Sequence, residues 1–190
     1  MTLCEAFVRK YLTVEKKSIC MQMRRSKTDA LNIMTGMDVD EKNFDKSDSV
    51  LVPYTWSQFF QQSLQFAKSM IHLGIPERSV ITIQGVNSPE HFMAIMGSIC
   101  SNCVFSDQYL TNSPEACLLQ IQHSGTTMIV CDTWSTLKSK YLVNERELLK
   151  LGVKTAVIFA EFGHEFGGEG RRTHQKSQND EERINVYNWT

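Results

Sequence analysis

Residues 79–96 read SVITIQGVNSPEHFMAIM, and the way this stretch divides decides the fold. Ser79 to Ile83 is a short β-branched run, Gln84-Gly85 ends it, and Asn87-Ser88-Pro89-Glu90 follows. β-branched side chains favour extended backbone. In the NSPE tetrapeptide the Ser or Asn side chain accepts a backbone N–H as N-cap. Proline takes the first helical position, where a missing donor costs nothing, and glutamate faces the positive end of the helix dipole. The stretch therefore predicts a strand, a turn and a helix start. The same four letters return as Asn112-Ser113-Pro114-Glu115, which predicts a second helix start after an extended piece from Val104 to Tyr109.

The rhythm continues outward. Thr127–Cys131 reads as a strand, a helix follows bearing Trp134, Leu137, Tyr141, Leu148 and Leu149, and Lys154–Ala160 reads as the next strand. Upstream, Thr55-Trp56-Ser57-Gln58 is a capping box, with Tyr54 and Phe59 placed as its hydrophobic staple. Apolar residues recur at helical spacing from Trp56 to Ile71, and Gly74 and Pro76 supply the stop. The first NSPE helix carries Phe92, Ile95, Met96 and Ile99 on one face, and the second carries Ala116, Cys117, Gln120 and Ile121. Strands alternating with helices at this interval predict an α/β fold, a parallel sheet of βαβ units flanked by helices. No GxGxxG follows any of these strands, so only the layout is Rossmann-like.

At 190 residues and 42% hydrophobic, the chain supports one core with tails. Twenty basic residues against 21 acidic ones leave a net charge of -1, which offers no electrostatic excess for a nucleic-acid backbone. No apolar run reaches the roughly 18 to 20 residues of a membrane span, and the N-terminus carries charge too early for a secretory signal, so a cytoplasmic location is expected. The expected organisation is an N-terminal segment over 1–53 with a polar insertion at 24–50, an α/β portion over 54–161, and a Gly-rich charged tail over 162–190. That tail reads as a loop in a longer protein, and its closing Val186–Thr190 reads as the start of another element. Asp38–Asn43 resembles the beginning of a calcium loop but lacks the glycine and closing glutamate, and reads as a solvated charge run.

No residue is assigned a catalytic, cofactor-binding or metal-binding role. Cys100-Ser-Asn-Cys103 has redox or zinc spacing, yet no further ligand pair accompanies it, and the six cysteines read as reduced thiols, four of them within apolar stretches. Ser124-Gly125-Thr126-Thr127 has the letters of a phosphate loop, but Met128-Ile129-Val130 turns straight into a buried strand, so a helix-to-strand corner is expected. The glycines at 163, 167, 168 and 170 lack a strand-loop-helix context. His72, His91, His123, His164 and His174 are dispersed and read as solvated or capping residues. Ser88-Pro89 and Ser113-Pro114 are accounted for as caps rather than phosphorylation sites.

Three stretches carry wording as well as pattern: Tyr54-Thr55-Trp56 opening a helix, Gly85 to Phe92 (GVNSPEHF), and Tyr109 to Cys117 (YLTNSPEAC). Together they resemble the N-terminal part of the long-chain acyl-CoA synthetases, most closely the bubblegum type, within the adenylate-forming, AMP-binding superfamily. The likeness runs from about Tyr54 to Glu161, with Thr111–Cys117 its most specific element. It implies a partial N-terminal subdomain of the AMP-binding enzyme fold. It also implies a full-length ligase that activates a fatty acid with Mg-ATP to an acyl-adenylate and passes the acyl group to coenzyme A. ATP, Mg and coenzyme A are thus implied for that enzyme, with peripheral association at the endoplasmic reticulum membrane, and none of these cofactors is assigned to this chain.

The family's SGTTGxPK loop is expected some tens of residues beyond Thr190, so the SGTT at Ser124 is a coincidence of letters. Where the family places Gly-Gly and a further glycine, this chain has Asn102-Cys103 and Asp107, and His91 stands where the family has tryptophan. Asn and Asp enter left-handed backbone more readily than cysteine, so an altered turn is expected. The resemblance implies an N-terminal piece of a ligase, inactive alone. The altered glycines motivate an alternative, a non-catalytic binding or regulatory module derived from the same fold.

Overall fold

A computed structural model describes residues 2–26, 49–159 and 183–189 of the protein. From the N-terminus, α1 (Leu3–Thr13) precedes an antiparallel pair, β1 (Ile19–Ser26) and β2 (Ser49–Thr55), and β2 runs directly into α2 (Trp56–His72). Then come β3 (Val80–Gln84), α3 (Pro89–Cys100), β4 (Val104–Gln108), α4 (Pro114–Ser124), β5 (Thr126–Cys131), α5 (Trp134–Lys140), α6 (Glu145–Lys150), β6 (Thr155–Ile158) and β7 (Asn185–Asn188).

Strands β3 to β7 form one parallel sheet in the order β4-β3-β5-β6-β7. Residues alternate across it. Ile129, Cys131, Ala156 and Ile158 face a core closed by Cys117, Ile121, Leu137, Tyr141 and Leu148, so α4, α5 and α6 cover that side. Met128, Val130 and Val157 face the other, with Ile81, Ile83, Phe66, Met70 and Ala94, so α2 and α3 cover that one. Helices on opposite faces are what crossovers of one hand require when the chain steps from β3 to β4 and then back past β3 to β5. A third cluster, Phe7, Val52, Tyr54, Phe59 and Met93, fastens α1 and β2 to α2 and α3.

Helix starts follow local chemistry. Thr55 accepts the Gln58 N–H while the Gln58 side chain accepts the Thr55 N–H, and Tyr54 and Phe59 share one apolar cluster, as box and staple predict. Ser88 accepts from the His91 N–H and Ser113 from the Ala116 N–H, each with proline at the next position, so both NSPE copies cap helices.

Helix faces and lengths differ in places from expectation. In α3 the buried residues are Pro89, Glu90, His91, Met93, Ala94, Gly97 and Ser98, whereas Phe92 is exposed. The reason is close packing on α2: small residues at 97 and 98 let the two helices approach, and that approach, not side-chain size, selects the interior face. In α4, Cys117 and Ile121 are buried as expected, but Gln120 is exposed and accepts a hydrogen bond from Asn112. The helix expected from Trp134 to Leu149 is broken into α5, a short 3-10 turn at Leu142–Asn144, and α6. The break lets Tyr141, Leu137 and Leu148 all reach one core. Residues 24–26 and 49–50, expected within a polar loop, lie in β1 and β2, while 27–48 and the glycines at 163–170 lie outside the described residues. The closing stretch read as a new element lies in β7, paired with β6 from Thr155↔Asn185 to Ile158↔Asn188.

Candidate functional site

In open parallel sheets the crevice for a ligand lies beyond the carboxyl ends of the strands, where strand order reverses. Here that place is the end of β3 and β5, and it holds a cluster of buried polar side chains. Gly85 follows β3 where the ends of neighbouring strands converge: a Cβ there would lie 2.8 Å from Asp132 Cβ and 2.8 Å from Phe159 Cζ. Asp132, buried after β5, accepts the Thr133 N–H at 2.7 Å through Oδ1 and the Val86 N–H at 3.3 Å through Oδ2. One carboxylate thus ties the turn after β3 to the start of α5.

His91 projects from the first turn of α3 into the same region and is 2% exposed. Its Nε2 lies 3.5 Å from Asp107 Oδ1 on β4, and its ring meets Phe92 and Phe159 edge-on. Burial holds the imidazole below its ordinary value of 6.5, while the carboxylates of Asp107 and Asp132 pull weakly the other way. Glu90, also buried, accepts the Tyr54 hydroxyl at 3.1 Å.

Gln84 and Gln108 are register partners on β3 and β4. Gln84 Nε2 donates to the Tyr109 carbonyl at 2.7 Å and reaches Cys117 Sγ at 3.7 Å, and Gln108 Oε1 accepts the Tyr141 hydroxyl at 3.2 Å. Three buried polar atoms have no partner among the described residues: Gln84 Oε1, Gln108 Nε2 and His91 Nδ1. All three belong to residues at this end of β3 and β4. The arrangement can offer hydrogen bonds to a polar group pressed against this edge of the sheet. It is poor in nucleophiles: burial raises the thiols of Cys117 and Cys131 and the phenol of Tyr141, keeping each protonated.

The SGTT stretch sits at the opposite end of β5. Gly125 closes α4 in left-handed backbone at φ 68°, its N–H donating to the Ile121 carbonyl. Thr126 is 1% exposed, its hydroxyl 2.6 Å from that of Thr82 and 2.7 Å from that of Ser124. Donors and hydroxyls already engaged in a buried corner do not fit a triphosphate. Among the described residues no three His, Cys, Asp or Glu side chains are grouped to hold a metal ion.

Of the dispersed histidines, His72 and His123 are exposed in last helical turns, whereas His91 corrects the expectation of a solvated or capping role. Gln84, Gln108 and Asp132 carry no local motif, and each stands at or just past a strand end. Cys100 and Cys103 do not face one another as a pair. Cys103 Sγ points to the Pro76 carbonyl at 3.5 Å, and Cys100 Sγ lies 3.3 Å from Cys4 Sγ. Asn102 adopts φ 60°, so the left-handed residue of this turn is asparagine and not Cys103.

The family model for the AMP-binding enzyme matches residues 46–187. The long-chain-fatty-acid–CoA ligase ACSBG1 of Homo sapiens is 31% identical over 107 residues, covering 56% of this chain and 14% of that protein. The long-chain-fatty-acid–CoA ligase ACSBG2 of Mus musculus is 30% identical over 102 residues, covering 54% and 15%. The chain therefore spans about one seventh of the length of the curated relatives it matches. Among solved structures, the adenylation domain of a carboxylate reductase from Mycobacterium chelonae superposes with a TM-score of 0.63 at 12% identity, covering 83% of this chain and 23% of that one. Coronafacic acid ligase from Pectobacterium brasiliense gives 0.54 at 14%, covering 73% and 24%. These two likenesses establish the fold, a parallel α/β architecture that makes up about a quarter of each of those chains. The resemblance to the bubblegum-type synthetases drawn from the three motifs holds.

Proposed function

Because the chain belongs to the AMP-binding enzyme family, we propose that it supplies the N-terminal scaffold of an ATP-dependent long-chain fatty acid–CoA ligase and is inactive alone. The reading is supported above all by the 31% identity to a long-chain-fatty-acid–CoA ligase over 107 residues. The engaged hydroxyls of Thr126 and Ser124 support the second part, because the one SGTT of this chain serves the interior of the sheet. In this reading 54–161 is the α/β portion of an AMP-binding domain, and fatty acid, ATP with Mg and coenzyme A are handled by segments beyond it. Cytoplasmic placement with peripheral contact to the endoplasmic reticulum belongs to the same reading and is tested by fractionation.

The deciding experiment replaces the matching segment of human ACSBG1 with residues 54–159 of this chain and measures acyl-CoA formation from palmitate, Mg-ATP and coenzyme A. Activity above that of a ligase lacking the segment supports the scaffold role; a soluble, folded chimera without activity counts against it. The isolated chain is expected to release no pyrophosphate from ATP with palmitate, and measurable release would overturn the statement that it is inactive alone.

A further inference from the structure

Cys100, the last residue of α3, does not turn toward Cys103 three positions on; its sulfur lies 3.3 Å from that of Cys4, in the first turn of α1 and 96 residues away. Both thiols are part-buried, and no disulfide is present. Cys103 is engaged elsewhere, its thiol directed at the carbonyls of Pro76 and Ser101. From this juxtaposition we infer that Cys4 and Cys100 form a dithiol pair that a low-molecular-weight disulfide oxidises to a cross-link fastening α1 to α3.

A disulfide holds its sulfurs at about 2.05 Å, so the 3.3 Å contact must shorten, and both residues lie at helix ends. The chemistry runs in two exchanges. The Cys4 thiolate attacks one sulfur of the small disulfide and expels one thiolate, leaving a mixed disulfide on Cys4. Cys100 then loses its proton to solvent and attacks Cys4 Sγ, expelling the second thiolate. Two protein thiols are oxidised to one disulfide, and the small disulfide is reduced to two thiols. The Cys100 thiol is pushed up to about 12 by burial, with the neighbouring Cys4 thiol adding to the shift. That second contribution falls away once Cys4 is in a mixed disulfide, so the order Cys4 first, Cys100 second is favoured.

The consequence is mechanical. α1 is held to the body by Phe7 against Phe59 and Phe60 and by Tyr11 stacked on Phe60 at 3.8 Å. A covalent bond from Cys4 to Cys100 adds a tether that closes a long loop, which constrains the unfolded chain.

The test treats the whole chain with oxidised glutathione, blocks remaining thiols with iodoacetamide, and sequences the tryptic peptides by tandem fragmentation, because Cys100, Cys103, Cys117 and Cys131 share the one tryptic peptide from Ser79 to Lys138. The expected product joins the peptide containing Cys4 to that peptide, with fragment ions cleaved between Cys100 and Cys103 placing the bridge on Cys100. On denaturing gels, cleavage after Lys16 or Lys17 then releases the N-terminal piece only when reductant is added. Cys4→Ser and Cys100→Ser each abolish the cross-link, Cys103→Ser preserves it, and the thermal midpoint of the oxidised wild-type chain lies above that of the reduced chain. A Cys100–Cys103 bridge, glutathione retained on Cys4 without a cross-link, or thiols left unmodified would each overturn the inference. Because the mapping is done on the wild-type chain, poor folding of a variant leaves it decisive.

Discussion

Gly97 of α3 lies in direct contact with Phe66 of α2: a Cβ built at 97 would sit 2.7 Å from Phe66 Cδ1 and 2.7 Å from the Ser63 carbonyl oxygen. A backbone carbonyl cannot swing aside as a side-chain tip can, so an added side chain must push the two helices apart. Both pack over β3 and β5, and the separation would loosen Met70, Ala94 and Ile81 together. Gly97→Val is expected to lower stability by about 2–3 kcal/mol, the cost of overpacking a close contact. Gly97→Ala is expected to lose less, because alanine regains about 1 kcal/mol of helix propensity. Urea unfolding of both variants checks this, and an unchanged midpoint for Gly97→Val would show that the helices are not in close contact.

The two NSPE caps give a matched pair of tests. Ser113→Ala removes an exposed cap and is expected to cost about 1 kcal/mol, whereas Ser88→Ala, at a cap only 3% exposed, is expected to cost more because the His91 N–H loses its acceptor away from water. The sites cap different helices and share no bond, so the double variant should be close to additive. Equal losses at the two positions would show that burial of the cap is irrelevant.

These caps were readable because they depend on four consecutive residues and nothing distant. The alternation of strands and helices was readable for the same reason, period 2 and period 3.6 being local signals. The interior face of α3 was not, since it is chosen by the approach of α2 at Gly97 and Ser98. The β1–β2 pair escaped reading because its strands are joined through 22 intervening residues, and α1 although Thr2 and Glu5 form a capping box that the sequence displays. The candidate site was the least legible part. Gln84, Gln108, His91 and Asp132 lie on four different elements or their ends, and only the strand order brings them together.

Two left-handed positions separate backbone strain from packing. Gly125 at φ 68° has nothing within 4 Å of a built Cβ, and Asn102 holds φ 60° while its side chain donates to Glu77 at 3.0 Å. Gly125→Ala is therefore expected to cost about 1 kcal/mol from conformation alone. Asn102→Gly is expected to be nearly neutral, the relief of backbone strain offsetting loss of an exposed hydrogen bond, while Asn102→Ala should cost about 1 kcal/mol. Thermal midpoints rank the three, and Asn102→Ala at least as stable as Asn102→Gly would contradict the left-handed assignment.

His91 links the candidate site to pH. Its folded-state value lies below the ordinary 6.5 because burial disfavours the imidazolium more than Asp107 and Asp132 favour it. The unfolded chain, with an ordinary histidine, therefore takes up a proton first as pH falls. Stability from this group is complete above about 6.5 and is lost as pH drops from there toward the folded-state value. His91→Phe removes the titration and keeps an aromatic ring against Phe159. Between about pH 7.5 and about pH 5.5, the wild-type unfolding midpoint should fall more than that of His91→Phe. Superimposable pH profiles for the two proteins would show that His91 carries its proton equally well in the folded and unfolded chain, and would remove the buried, neutral imidazole from the site.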